Sequence, residues 1–250
     1  MMETAATTER GPVATFHLLR EHPRRATIAI ARLGLDRRRL ASTDGLLFWR
    51  LLGTGRSSNT GPSIDARRTA VFAVWRDAAS AERFEASMAS RWDRLAESYH
   101  LRMVAIAGHG SWNGFDVIGA VRPAGPLRGR PSTAGPIVVI TRAEVRVRHL
   151  RRFVVAARQV SRELNRTPGL LAVCGIGEAP IGRQATLSVW RSAAHVDAFG
   201  SRAGRHREAV TRTRRDGWYG EELFARFRPV GSRGTWDGRD PLAGLLDSTE

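Results

Sequence analysis

The chain has seven histidines, His17, His22, His100, His109, His149, His195 and His206, and one cysteine, Cys174. No two of the histidines bracket a carboxylate at i, i+4 as in a zinc-binding helix, and one cysteine cannot build a thiolate cage. A metal held by protein side chains alone is therefore poorly supported. A cofactor that brings most of its own ligands needs one histidine, and haem is such a cofactor. His206 is the most suggestive candidate, because on a helix it shares a face with Ala203, Ala209, Val210 and Thr213. Small neighbours leave space for a flat macrocycle. From these residues alone, a buried, hydrogen-bonded core histidine is still the stronger reading of that face.

Other chemistries fall away. Gly53-Thr-Gly55 and Gly175-Ile-Gly177 are too short for a dinucleotide fingerprint and lie outside a parallel βαβ context. No Gly-x-Ser-x-Gly elbow and no Walker loop is present. Glu221 and Glu222 are adjacent at the entry to a strand, so they point to opposite faces and cannot act as one dyad. Punctuation between helix and strand is their expected role. The lone cysteine excludes an internal disulfide and fits a reducing cytosol. The first residues, MMETAATTERGP, lead into no signal-like apolar core, and apolar runs elsewhere stop short of a membrane span, so the chain reads as soluble.

Charge is the strongest compositional signal. All 40 basic residues are arginine, and the net charge is +16. Arginine docks phosphate and anionic headgroups well. These arginines are scattered, however, and clusters such as Arg37, Arg38 and Arg39 lack the interleaved aromatics of a single-strand binding platform. A solvated face explains them, and no nucleic-acid partner is expected.

The elements that must position any site are repeated. GSWNG at 110–114 returns as GTWDG at 234–238, 124 positions later. DGLLFWRLLGTG at 44–55 matches PGLLAVCGIGEA at 168–179 with the same spacing, and TAVFAVWRDAASAERF at 69–84 matches QATLSVWRSAAHVDAF at 184–199. Each half opens on a strand, 13–19 and 136–142, and continues into a helical pattern. The second helix is clear: Leu150, Phe153, Val154, Ala157, Val160, Ser161 and Leu164 share one face. Its counterpart spans roughly 22–41. Strands at 46–52 and 170–175, then 69–75 and 184–190, lead to helices capped by Asp77 and Ser192. Strands at 101–108 and 222–230 close the halves.

The sequence therefore predicts an α+β fold of two ferredoxin-like β-α-β-β-α-β halves whose open sheet faces stack into a barrel. The expected divisions are a disordered terminus (1–12), a first half (13–121), a Pro/Gly/Arg-rich linker (122–135) and a second half (136–245). The Trp turns follow the last strands and are expected to plug the barrel ends.

The stretches GIGEAPIGRQATLSVW (175–190), HREAVTRTRRDGWYGEELFARF (206–227) and GTWDGRDPL (234–242), with FWRLLGTG (48–55) and GSWNG, resemble the spheroidene monooxygenase family of carotenoid ketolases. The similarity runs from about residue 14 to 244 and is strongest from 136 onward. The resemblance implies a dimeric α/β barrel-type fold and a haem-dependent, oxygen-using monooxygenase acting near the end of an acyclic carotenoid. A cofactor-free oxygenase or small-molecule binding protein on the same fold is the alternative. The resemblance makes His206 the candidate axial ligand and places Glu178, Arg183, Gln184, Trp218 and Arg226 in the matching motifs, as candidates for pocket lining or propionate contacts. It further implies a lipophilic substrate in an apolar channel supplied by the barrel and an external electron donor such as a ferredoxin. A cytoplasmic location is expected, with peripheral contact at the inner membrane face left open. RSSNTGPSIDARR (56–68) and His109 depart from the family pattern.

Overall fold

The computed structural model describes residues 11–25, 36–55, 64–123, 135–178, 183–202 and 217–246. Eight strands close into one antiparallel barrel: β1 (Val13–Arg20), β2 (Leu46–Gly55), β3 (Ile64–Trp75), β4 (Glu97–Gly110), β5 (Ile137–Val145), β6 (Leu170–Gly177), β7 (Arg183–Trp190) and β8 (Tyr219–Gly234). The described helices are α1 (Ala78–Trp92), the short α2 (Val117–Ala120), α3 (Leu150–Leu164) and α4 (Ala193–Arg202). Around the barrel the order is β1-β3-β2-β6-β7-β5-β8-β4. Read by halves, this gives β4-β1-β3-β2 and β8-β5-β7-β6, the same arrangement twice.

In the second half the expected element order is complete. In the first, the helix expected over 22–41 begins with a 3-10 turn at Pro23–Arg25 and is helical over 36–41, the residues between lying outside those described. Most of the 1–12 terminus and of the 122–135 linker also lies outside them. Asp77 caps α1 as expected, accepting from the Ser80 backbone N–H at 2.7 Å.

The closing strands are longer than their apolar runs. β4 pairs with β8 from Tyr99↔Gly234 to Gly110↔Leu223, and this seam joins the halves along most of both strands. Cross-half pairing extends β4 and β8 into polar residues that no apolar pattern marks. At the opposite seam, among the described residues, β2 pairs with β6 at Gly53↔Gly177 and Thr54↔Ile176.

Strand alternation divides every side chain between two environments. Ala14, Phe16 and Leu18 of β1, and Val138 and Ile140 of β5, point into the barrel. Val13 of β1, and Ile137 and Val139 of β5, point outward under the helices. The interior is packed: Trp112 stacks on Phe72 with 5.1 Å between centroids, and Trp236 lies 5.8 Å from Tyr99. An eight-stranded barrel is just wide enough to be filled by side chains. Between these rings the barrel interior is packed by side chains.

The two Trp turns do close the ends, and each is caught by the other half. Gly110 and Gly234 adopt φ of 89° and 86°, and a Cβ on either would lie about 2 Å from a carbonyl of the facing strand, 2.0 and 2.1 Å respectively. Glu221 accepts from Ser111 Oγ (2.7 Å), Asn113 N (2.9 Å) and Gly114 N (2.8 Å). Glu97, 124 positions earlier, accepts from Gly238 N (2.7 Å) and Thr235 Oγ1 (3.2 Å). Glu221 is therefore a latch rather than punctuation. Arg142, only 1% exposed, donates to Glu221 (2.6 Å), Asn113 Oδ1 (2.8 Å) and Glu178 (3.3 Å).

Burial pushes the Glu221 carboxyl up, but hydrogen bonds from Gly114, Ser111 and Asn113 and the Arg142 charge outweigh it and hold the pKa down to about 2. A carboxylate with a depressed folded-state pKa adds stability that is complete above its ordinary 4.5 and is lost as pH falls through about 2. Glu221→Ala leaves the Arg142 charge buried without its nearest carboxylate, and denaturant unfolding at neutral pH is expected to show a loss of about 3 kcal/mol. The gap between variant and wild type should close as the titration approaches pH 2.

Candidate functional site

The fold leaves space between sheet and helices in the second half. A cavity of about 610 Å³ has the outer faces of β5, β7 and β8 as its floor and α3 and α4 as its roof. The floor follows the alternation: Thr141 and Ala143 of β5, Gln184, Thr186 and Ser188 of β7, and Phe224 and Arg226 of β8. The roof is the helical face read from the sequence, with Phe153, Ala157, Val160, Ser161 and Leu164, joined by Val196, Phe199 and Gly200. Size and predominantly apolar walls suit a small organic ligand.

The first half shows what fills the equivalent place. There His17 and His100, 124 positions before the cavity's Thr141 and Phe224, bring their Nδ1 atoms to 3.0 Å. Trp92 stacks on His100 at 4.2 Å and lies 4.8 Å from His17. Burial above all, with the neighbouring Arg102 and Arg233 charges, pushes His17 down to about 3, and burial likewise takes His100 to about 3. Both are neutral core residues. Trp75 with Phe84 (5.1 Å) and Trp190 with Phe199 (5.7 Å) pack alike in the two halves. Histidine and tryptophan fill one site, while threonine, serine and alanine leave the other open.

Gln184, Trp218 and Arg226 line the cavity. Gln184 Oε1 and Trp218 Nε1 are buried with no hydrogen-bond partner among the described residues, an unusual state for buried polar atoms. Trp218 stacks on His149 at 5.6 Å, and Arg226 donates to Asp197 at 2.7 Å. Arg183 precedes Gln184 in β7, takes the other face and pairs with Glu144 at 3.4 Å, away from the cavity lining. Glu178 belongs to the barrel end, where Trp112 Nε1 and Arg142 donate to it. His206 lies outside the described residues; α4, which supplies Phe199 and Gly200 to the roof, ends four positions before it at Arg202.

His109 is a lining residue that the motifs did not assign. It faces Phe224 across the β4–β8 seam at 5.8 Å, with Nε2 3.8 Å from Glu222 Oε1. Its position depends on cross-half register, which no local pattern carries. Burial pushes the Cys174 thiol up to about 12, so it is no nucleophile. Among the described residues, no group of three or more His, Cys, Asp or Glu could hold a metal ion, and no helix is long and apolar enough to cross a membrane.

The fold is similar to that of a solved aldoxime dehydratase structure, with a TM-score of 0.59 at 11% identity, covering 87% of this chain and 81% of that one. No protein-family model matches the chain. Three curated relatives do, and two of them show the extent of the match. The spheroidene monooxygenase of Rhodobacter capsulatus is 31% identical over 237 residues, 93% of this chain and 96% of the relative. That of Cereibacter sphaeroides is 32% identical over 203 residues, 80% of this chain, and the match spans 60% of the relative's length. The chain belongs to the spheroidene monooxygenase family, and with it to the monooxygenases.

Ala157→Phe places a ring into the cavity from its roof. Binding of an apolar fluorescent probe is expected to fall at least about tenfold, a loss of about 1.4 kcal/mol. The unfolding midpoint should stay close to wild type, because the ring enters existing space.

Proposed function

We propose that the chain is a haem-dependent, oxygen-using monooxygenase acting on a carotenoid or similar lipophilic polyene, built by duplication of one ferredoxin-like unit, with its chemistry in the second half. The observation that carries this reading is the open cavity between α3, α4 and the β5/β7/β8 face, set against the filled equivalent in the first half. Family membership supports the monooxygenase class, and the carotenoid is drawn from the relatives' name.

The residues present fit a flat, mostly apolar group with polar edges. Gln184 Oε1 and Trp218 Nε1 offer a buried acceptor and donor that nothing else among the described residues satisfies. Arg226, held by Asp197, offers a cation suited to a carboxylate edge. Haem bound here would supply the activation of oxygen. His206 would offer one imidazole nitrogen as its protein ligand. Phe153, Val160, Leu164 and Phe199 keep water from the site and give a polyene an apolar wall. Electrons would come from an external donor such as a ferredoxin.

Expression with haem supplementation, followed by absorbance spectroscopy, tests this. Wild type is expected to show a Soret band, His206→Ala to lose it or shift it, and added imidazole to restore it to His206→Gly. A colourless wild type would favour a cofactor-free oxygenase on the same fold.

A further inference from the structure

The helix that roofs the cavity has a second face. Outward from α3 and the 3-10 turn before it stand Val147, Arg151, Val155, Arg158 and Arg162, at i, i+4, i+8, i+11 and i+15, all exposed. Val147 (85% exposed) and Val155 (68%) are the most exposed large hydrophobic residues among those described. Residues 146–166 hold seven arginines and one acid, Glu163. On the first-half helix, by contrast, Arg91 pairs with Asp36, and Arg102 of the adjoining strand pairs with Glu82 and Glu85. Among the described residues no carboxylate ion-pairs with these seven.

We infer that this face of α3 docks on an anionic lipid bilayer. Guanidinium groups on a helix flank match anionic headgroups, and the two valines between them reach the acyl boundary, as in amphipathic helices that lie in the interface plane. Val147 and Val155 would add nothing to phosphate binding on nucleic acid, and no aromatic on the stripe could stack on a base. The inner face of the same helix roofs the cavity, so the bilayer lies one helix away from it. A polyene dissolved in that bilayer then reaches the site without crossing water; this consequence rests on the proposed function, whereas the docking itself does not.

The test is cosedimentation of the full chain with phosphatidylcholine vesicles, with and without phosphatidylglycerol. Wild type is expected to bind only the anionic vesicles. Arg151→Ala/Arg152→Ala/Arg158→Ala should lower the partition coefficient by roughly 100-fold. Val147→Ser/Val155→Ser should lower it by about tenfold, with melting midpoints unchanged. A control of equal charge on the first half, Arg24→Ala/Arg38→Ala/Arg39→Ala, should change it by less than about threefold. The inference is overturned if the control loses as much as the α3 variant, which would assign binding to net charge. It is also overturned if wild type ignores anionic vesicles, or if the valine variant binds as wild type does and an acidic protein or soluble polyanion competes fully. Vesicle binding by a protein that stays colourless with haem would keep this surface and reject the haem reading.

Discussion

A residue on a barrel strand has two places to go, inward or outward, and that constraint governs the rest of this structure. Eight strands enclose a core packed by Phe16, Phe72, Tyr99, Phe227 and the two turn tryptophans, Trp112 and Trp236. The described cavity lies on the outer face, where sheet meets helix, and it opens where the side chains at that interface are small. The second half meets this condition with Thr141, Ser188, Ala157 and Gly200. The first half has His17, His100 and Trp92 there instead.

Closing the barrel requires the halves to hold each other at both ends. The long β4–β8 seam does part of this, and the exchanged carboxylates do the rest: Glu221 grips the turn of the first half, Glu97 that of the second. Both anions sit beside arginine, Glu221 against Arg142 and Glu97 against Arg20 and Arg68. Such pairs stabilise little against an apolar alternative but cost several kcal/mol when one partner is removed. Their effect is to fix one geometry, and the cavity floor inherits that rigidity through β5 and β8.

Local periodicity made most of the fold legible. The α3 face from Phe153 to Leu164 was readable at helical spacing and is the face that roofs the cavity. The repeated Trp turns announced the two barrel-end closures, and Asp77 announced its helix. What the sequence hid was long-range. The strand extensions of β4 and β8 depend on pairing across halves, the place of His109 depends on the same register, and the role of Glu221 depends on a turn 107 to 110 residues away. Arg183 was separable from Gln184 by the parity rule that separates Glu221 from Glu222, since the side chains of strand neighbours point to opposite faces.

The central claim is positional: one ligand site, outside the barrel, in the second half. The most direct measurement is a crystal structure of the protein reconstituted with haem, with the metal located by anomalous diffraction at the iron edge. The account predicts one iron peak between the β5/β7/β8 face and the α3 and α4 layer, near Gln184 and Trp218. A peak inside the barrel, or against α1 beside Trp92, would contradict it.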